Sequence, residues 1–125
     1  RHRRIHNRSI HDTRRAVRWD IRMMLNKLRR TRIGTNKGTP RVWIEGRWVA
    51  AAGFTPGARY NVNPTADGGF IATLDKAGRL KVSKKTVKGE LLPILDLRRP
   101  EQTPGQHLMI MVSDGVIQFT PEISE

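Results

Sequence analysis

Arg41–Gly57 reads RVWIEGRWVAAAGFTPG, and its pattern changes three times within seventeen residues. Val42 and Ile44 alternate with Arg41, Trp43 and Glu45, the period of a half-buried strand. Gly46 breaks that strand. Arg47–Ala52 is rich in alanine, which favours one or two helical turns, and Gly53 stands where a left-handed cap would close them. In Thr55-Pro56-Gly57, proline sets φ at the first central position of a turn and glycine supplies the positive φ of the second. The stretch predicts an α+β body that is mainly β.

Working towards the C-terminus, Ala58–Asn63 reads as a strand with Tyr60 and Val62 on one side. Asp67-Gly68-Gly69 is a hairpin signal and Phe70–Leu74 is its return strand. Asp75–Gly78 turns the chain into Arg79–Ser83, where Leu80 and Val82 alternate with Arg79 and Lys81. The apolar run Leu91–Leu97 contains Pro93, which predicts an edge strand or a bulge because proline cannot donate to a ladder. His107–Val112, Asp114-Gly115 and Val116–Thr120 then read as strand, turn and strand.

The order strand, T-P-G, strand, D-G, strand therefore occurs twice. The T-P-G turns at 55–57 and 103–105 lie 48 residues apart. From each T-P-G glycine to its hairpin aspartate is 10 residues in one half and 9 in the other. A unit of about 35 residues cannot bury its own core, so the halves are expected to pack as one body. The predicted organisation is a basic arm, amphipathic helix and linker over 1–40, then a β-rich body over 41–121. Its halves, 41–75 and 90–121, are joined by a basic hairpin at 76–89.

Working towards the N-terminus, charge dominates. The chain of 125 residues carries 24 Lys and Arg against 11 Asp and Glu, net +13. Residues 1–40 hold 13 basic and 2 acidic side chains, net +11, whereas residues 41–125 hold 11 and 9, net +2. Val17, Ile21, Met24, Leu25 and Leu28 recur at helical spacing from a cap at Ser9 or Asp12, and Ile10 extends the stripe backwards. Around the stripe sit Arg14, Arg15, Arg18, Arg22, Lys27, Arg29, Arg30 and Arg32, the last three crowding the final turn where cations meet the negative end of the helix dipole. Gly34 to Pro40 reads as the linker that ends the helix. Such a local excess implies a polyanionic partner, because each phosphate neutralised releases counterions. The plainer reading is a solvated basic tail. The narrow apolar stripe, with Trp19 as its interfacial aromatic, ranks a membrane surface last.

The first half resembles the SymE-type toxin family. The residues that carry the likeness are the strand RVWIEG, the run WVAAAGF, the turn TPG and the strands around YNV and GGFIATL. That family is similar in turn to the AbrB/MazE swapped-hairpin superfamily, and LLPILDLRRPEQTPGQHLMIMVSDGVIQFTP resembles one AbrB unit in outline. The resemblance implies a duplicated swapped-hairpin barrel, with fusion supplying the pairing of a second subunit, as a monomeric pseudo-dimer or a homodimer. It also implies DNA binding through Arg41, Arg47, Arg98 and Arg99, near the first strand of each unit.

Together these readings predict a cytoplasmic, nucleic-acid-binding protein, with DNA ahead of RNA. The contacts would come from the arginine helix, Arg41, Arg47 and the basic stretch Lys81, Lys84 and Lys85. The alternatives are a SymE-like RNA-cleaving toxin and a basic structural or anti-defence component of a ribonucleoprotein complex. No cysteine is available for disulfides or thiolate metal sites. The histidines show no metal spacing, and Glu45, Asp67, Asp75 and Asp114 read as turn or strand-end chemistry. Asp96, inside an apolar run, is the exception. No cofactor, metal or catalytic residue is assigned.

Overall fold

The computed structural model describes residues 29–123. The expected arm and nearly all of the basic helix, including Arg14, Arg15, Arg18, Arg22 and Lys27, lie outside the described residues. In chain order the elements are β1 (Arg29–Arg32), β2 (Gly34–Asn36), β3 (Thr39–Glu45), α1 (Arg47–Ala51), β4 (Arg59–Pro64) and β5 (Phe70–Leu74). They continue as β6 (Leu80–Lys81), β7 (Ser83–Val87), β8 (Glu90–Arg98), β9 (His107–Ser113) and β10 (Val116–Pro121). The protein is mainly β, with two antiparallel sheets and one short helix. A six-stranded sheet runs β1-β9-β10-β5-β4-β6, and a four-stranded sheet runs β2-β3-β8-β7.

Three expectations are corrected here. Arg29, Arg30 and Arg32 end no helix, because their segment is strand β1, held by distant partners in the register Arg29↔Ile110 to Arg32↔His107. The expected linker is a hairpin. Gly34–Asn36 pairs with Thr39–Arg41 around a two-residue turn, and Lys37 and Gly38 take φ of +53° and +81° as a primed turn requires. The segment 76–89 makes no hairpin of its own, since β6 pairs with β4 in one sheet while β7 pairs with β8 in the other.

Pro93 also finds a different solution from the one its sequence position implies. β8 is an inner strand, and Pro93 is fully buried within it. Its carbonyl accepts from Gly46 N–H at 3.3 Å, just past the last β3–β8 pair at Glu45↔Ile94. Its missing N–H therefore faces the point where β3 has already ended, and the ladder loses nothing.

The duplication governs the whole architecture. Both sheet orders read the same in either direction when β1, β2, β3, β4 and β5 are exchanged for β6, β7, β8, β9 and β10. Ile71 lies opposite Gln118, and Ile44 opposite Leu95, each facing its own counterpart as residues beside a twofold axis must. The opening strands are exchanged between copies. At the bend between β1 and β2, Ile33 N–H donates to Gln106 O and Ile33 O accepts from Gly105 N–H. At the bend between β6 and β7, Val82 N–H donates to Ala58 O and Val82 O accepts from Gly57 N–H. Each T-P-G turn thus anchors the strand that opens the other copy. These two bends carry a strand from one sheet to the other, but β1, β6, β2 and β7 remain edges, so the expected closed barrel does not form.

The core lies between the sheets. Phe54, Phe70, Phe119, Leu95, Leu97, Leu108, Ile110, Ile117, Val42 and Val49 are fully buried. Phe70 and Phe119, opposite each other across β5 and β10, stack with ring centroids 4.6 Å apart. Phe54 meets Tyr60 edge-on at 5.7 Å. Truncating any of these phenylalanines to alanine costs about 3–5 kcal/mol. The predicted faces of β3 and β4 hold, with Val42, Ile44 and Tyr60 pointing inward, and Phe70 and Ala72 are buried beside them, whereas Leu80, read on one side with Val82, is exposed.

Candidate nucleic-acid interface

The two sheets differ in what they turn outward. On the four-stranded sheet, alternation sends Arg41, Trp43 and Glu45 of β3 and Asp96 of β8 to the outer face. Arg41 Nε lies 3.3 Å from Asp96 Oδ1, and its guanidinium lies 4.6 Å from the centre of the Trp43 ring. Trp43 Nε1 donates to Glu45 Oε1 at 3.2 Å. Glu45 also accepts from Lys85 Nζ, and that hydrogen bond holds its carboxyl below the usual range. At the start of α1, Arg47 grips Glu90 with two bonds, Nε to Oε1 at 2.9 Å and Nη2 to Oε2 at 2.7 Å. The Glu90 carboxyl is lowered by that pair. Arg99, which the resemblance pointed to, pairs with Glu101 at 2.7 Å and covers the Phe70 ring at 5.0 Å.

Of the cations expected on the body, Arg41, Arg47 and Lys85 therefore each meet a carboxylate. An ion pair leaves little outward field, because the two charges nearly cancel beyond a few ångströms.

The outer face of the six-stranded sheet is arranged otherwise. Its middle carries Asn61, Asn63, Ile71, Thr73, Met109, Met111, Gln118 and Thr120, the residues that alternate with the buried ones. Cations gather at both edges. At the β1 edge, Arg30 stands opposite Met109 and Arg32 opposite His107. At the β6 edge, Lys81 stands opposite Arg59, and Arg79 N–H donates to Asn61 Oδ1 at 3.0 Å. Arg30 is held by Glu122 at 2.6 Å. Arg32, Arg59, Arg79 and Lys81 have no carboxylate partner among the described residues. Arg29 is spent on the rim of the core, its guanidinium 4.6 Å from the centre of the Trp48 ring.

Lys84 stands on β7 of the four-stranded sheet, close to this second edge. Lys81 and Lys84 both line an open depression of about 540 Å³, whose other walls are Pro56, Gly57, Val82, Ser83 and Leu91. No acidic side chain lines it. The structure thus brings Lys81 together with Lys84 across this depression and with Arg59 and Arg79 through the β4–β6 pairing, the last two being cations that the sequence reading left out of the interface. Their signal is non-local, because Arg59 and Arg79 become neighbours only through the pairing of β4 with β6. Lys37 and Lys88 were missed as well. They occupy equivalent positions in the two Lys-Gly hairpin turns, at φ of +53° and +50°.

The acidic residues have local structural roles. Asp67 accepts from Thr65 Oγ1 at 2.5 Å and Gly69 N–H at 2.9 Å, and these bonds lower its carboxyl, Thr65 foremost. Asp75 accepts from Ala77 N–H and Asn61 Nδ2. Among the described residues no group of three or more His, Cys, Asp or Glu is placed to hold a metal. Among them also, no helix is long and apolar enough to cross a membrane. Comparison of the chain with protein-family models, curated proteins and solved structures returned no match.

Proposed function

We propose that this chain binds nucleic acid, DNA ahead of RNA, through the basic edges of its six-stranded sheet together with the arginine-rich segment that leads into β1. One observation carries the reading. Arg41 and Lys85 of the four-stranded sheet and Arg47 of α1 are matched with carboxylates, while Arg32, Arg59, Arg79 and Lys81 at the edges of the other sheet are left unmatched among the described residues, as are Lys84 and Arg98. β1 is also where residues 1–28, with most of the net charge, join the body. Contacts of Lys and Arg with phosphate position a nucleic acid without reading its sequence. The reciprocal exchange of opening strands supports a finer reading, that the body is a fused swapped-hairpin pair of the AbrB kind acting as a monomeric pseudo-dimer.

A salt titration of the full chain tests this against duplex DNA, single-stranded DNA and RNA. Affinity is expected to fall by about 0.9 log units per log unit of salt for each phosphate engaged on a duplex. Replacing Arg59 and Arg79 by glutamine should weaken binding and flatten the slope by about one for each phosphate no longer engaged. Replacing Arg41 and Lys85 should do little. A flat salt response, or the reverse ranking of the two double variants, refutes the proposal. A truncation for the same purpose must keep Arg29–Ile33, since these residues are part of the sheet.

A further inference from the structure

The two edges of the six-stranded sheet are basic at equivalent positions. Matched through the bonds at the two bends, Arg30-Thr31-Arg32-Ile33 corresponds to Arg79-Leu80-Lys81-Val82. Arg32 lies opposite His107 and Lys81 opposite Arg59, and His107 and Arg59 open the equivalent strands β9 and β4. Elsewhere the copies have drifted far apart. Tyr60-Asn61-Val62-Asn63 of β4 answers to Leu108-Met109-Ile110-Met111 of β9, and Phe70-Ile71-Ala72 of β5 to Ile117-Gln118-Phe119 of β10.

Besides the outward carboxylates Glu45 and Asp96 of β3 and β8, what survives that drift falls into three groups. The T-P-G, D-G and K-G turns survive because their backbones demand it, and apolar side chains survive at the buried bends, Ile33 and Val82. The third group is the outward cations at the edges. An exposed cation has no packing reason to persist in both copies; charge on an edge strand discourages pairing with another chain, and a shared binding role supplies a second reason.

The spacing and symmetry of these edges identify the target. Five strand spacings of about 4.8 Å separate β1 from β6, roughly 24 Å, comparable with the breadth of a duplex. The twofold axis passes beside the Ile71–Gln118 pair, midway between the edges. The antiparallel backbones of a duplex are themselves related by twofold axes across the helix, and a single strand has none. We infer that the outer face of the six-stranded sheet takes a two-stranded nucleic acid with the two symmetry axes aligned. Arg32 meets phosphates of one strand, and Lys81 meets the equivalent phosphates of the other. Glu122 holds Arg30 at 2.6 Å, so Arg32 leads on its edge as Lys81 does on the opposite one. Binding geometry of this kind makes a symmetric protein surface prefer a symmetric placement on DNA.

This inference rests on the proposed nucleic-acid binding, and the test separates the two. The full chain is titrated with a short duplex and with each of its strands, as wild type and as Arg32→Gln, Lys81→Gln and the double variant. The duplex should bind more tightly than either strand. Each single substitution should cost the same factor to within about twofold and lower the salt slope by about one. The charge-keeping change Lys81→Arg should retain affinity, and far-ultraviolet circular dichroism should be unchanged throughout. Hydroxyl-radical protection should be related by a twofold axis on the two strands. A single strand bound as well as the duplex, a loss confined to one edge, or protection of one strand alone overturns the inference and leaves nucleic-acid binding standing. Failure to bind any of the three probes overturns both.

Discussion

On the four-stranded sheet Arg41 and Lys85, with Arg47 of the adjoining α1, each meet a carboxylate supplied by a neighbouring element, whereas Lys84 and Arg98 meet none among the described residues. On the six-stranded sheet, Arg32, Arg59, Arg79 and Lys81 meet none among the described residues. Each sheet takes its own strands from the duplicated unit, β1, β4 and β5 with their counterparts in the large one and β2 and β3 with theirs in the small one. The small sheet joins the copies through β3 and β8, and its paired charges tie β7, β8 and β3 to one another. The large sheet also joins the copies, through β5 and β10, but of its edge cations Arg30 alone meets a carboxylate among the described residues, while Arg59 donates to the Gly78 carbonyl at 3.3 Å. The small sheet thus pairs most of the charge on the outer face of β3, while the large sheet leaves unmatched cations at both of its edges among the described residues.

The sharpest way to break the contrast is to split the large sheet along its middle. Two matched edges act together only if β10 and β5 hold them at one fixed distance. Beside their junction lies Gly69, where an added Cβ would stand 2.0 Å from Phe119 O and 3.0 Å from Phe119 C. Backbone cannot yield as a side-chain tip can, so Gly69→Ala is expected to cost about 3 kcal/mol or more. Gly105 has φ of +88° but open space around its missing side chain. Its alanine variant pays the left-handed strain alone, about 1–2 kcal/mol. Chemical denaturation of the two variants gives the ranking. If Gly69→Ala is the milder of the two, β10 and β5 do not meet in this way.

The parts of this architecture that the sequence disclosed are those whose cause is local. Thr55-Pro56-Gly57, Asp67-Gly68 and Asp114-Gly115 each carry their turn in their own backbone preferences, and the strands between them alternate plainly. The repeat was readable for the same reason. Arg29–Arg32 was not, because arginine suits a helix and nothing nearby forbids one; β9, more than seventy residues on, makes it a strand. The turns Lys37-Gly38 and Lys88-Gly89 escaped because lysine is an uncommon choice for a positive φ, although T-x-K-G recurs at 35–38 and 86–89. Of the interface, Lys81 and Lys84 were legible as a basic stretch. Their gathering with Arg59 and Arg79, and the quenching of Arg41, Arg47 and Lys85, depend on pairings that no local pattern encodes.

Tyr60 offers a way to sharpen the contrast through pH. It is the sole tyrosine, 2% exposed, at the inner face of β4 where the β6 edge is attached. Burial, seconded by the Asp96 charge, pushes its phenol up to about 12 from an ordinary value near 10. The folded state therefore favours the neutral phenol. Its contribution to stability is fully present below about pH 10 and is lost as pH rises towards 12. Phenolate absorbance should show one transition, displaced upward while the chain is folded and returned to about 10 in denaturant. Tyr60→Phe should remove this alkaline dependence. A phenol that titrates near 10 in the folded chain would mean that water reaches the β4–β6 edge.

The smallest expected effect bears most directly on why the four-stranded sheet is quiet. Glu45 accepts from Lys85 and from Trp43, and its carboxyl is lowered mainly by the Lys85 bond. The stability this lends is present above the ordinary carboxylate range and is lost as pH falls through the lowered value. The pair is partly exposed, so solvent screens it, and Glu45→Gln should cost under about 1 kcal/mol at neutral pH. The same substitution releases Lys85. If pairing is what silences that lysine, Glu45→Gln should bind duplex DNA slightly more tightly than wild type, with a slightly steeper salt slope. A further Lys85→Gln change should return both to the starting values. Should Glu45→Gln leave affinity and slope unaltered while Arg59→Gln lowers them, Lys85 lies off the path of the nucleic acid whatever its charge, and position, not pairing, separates the two sheets.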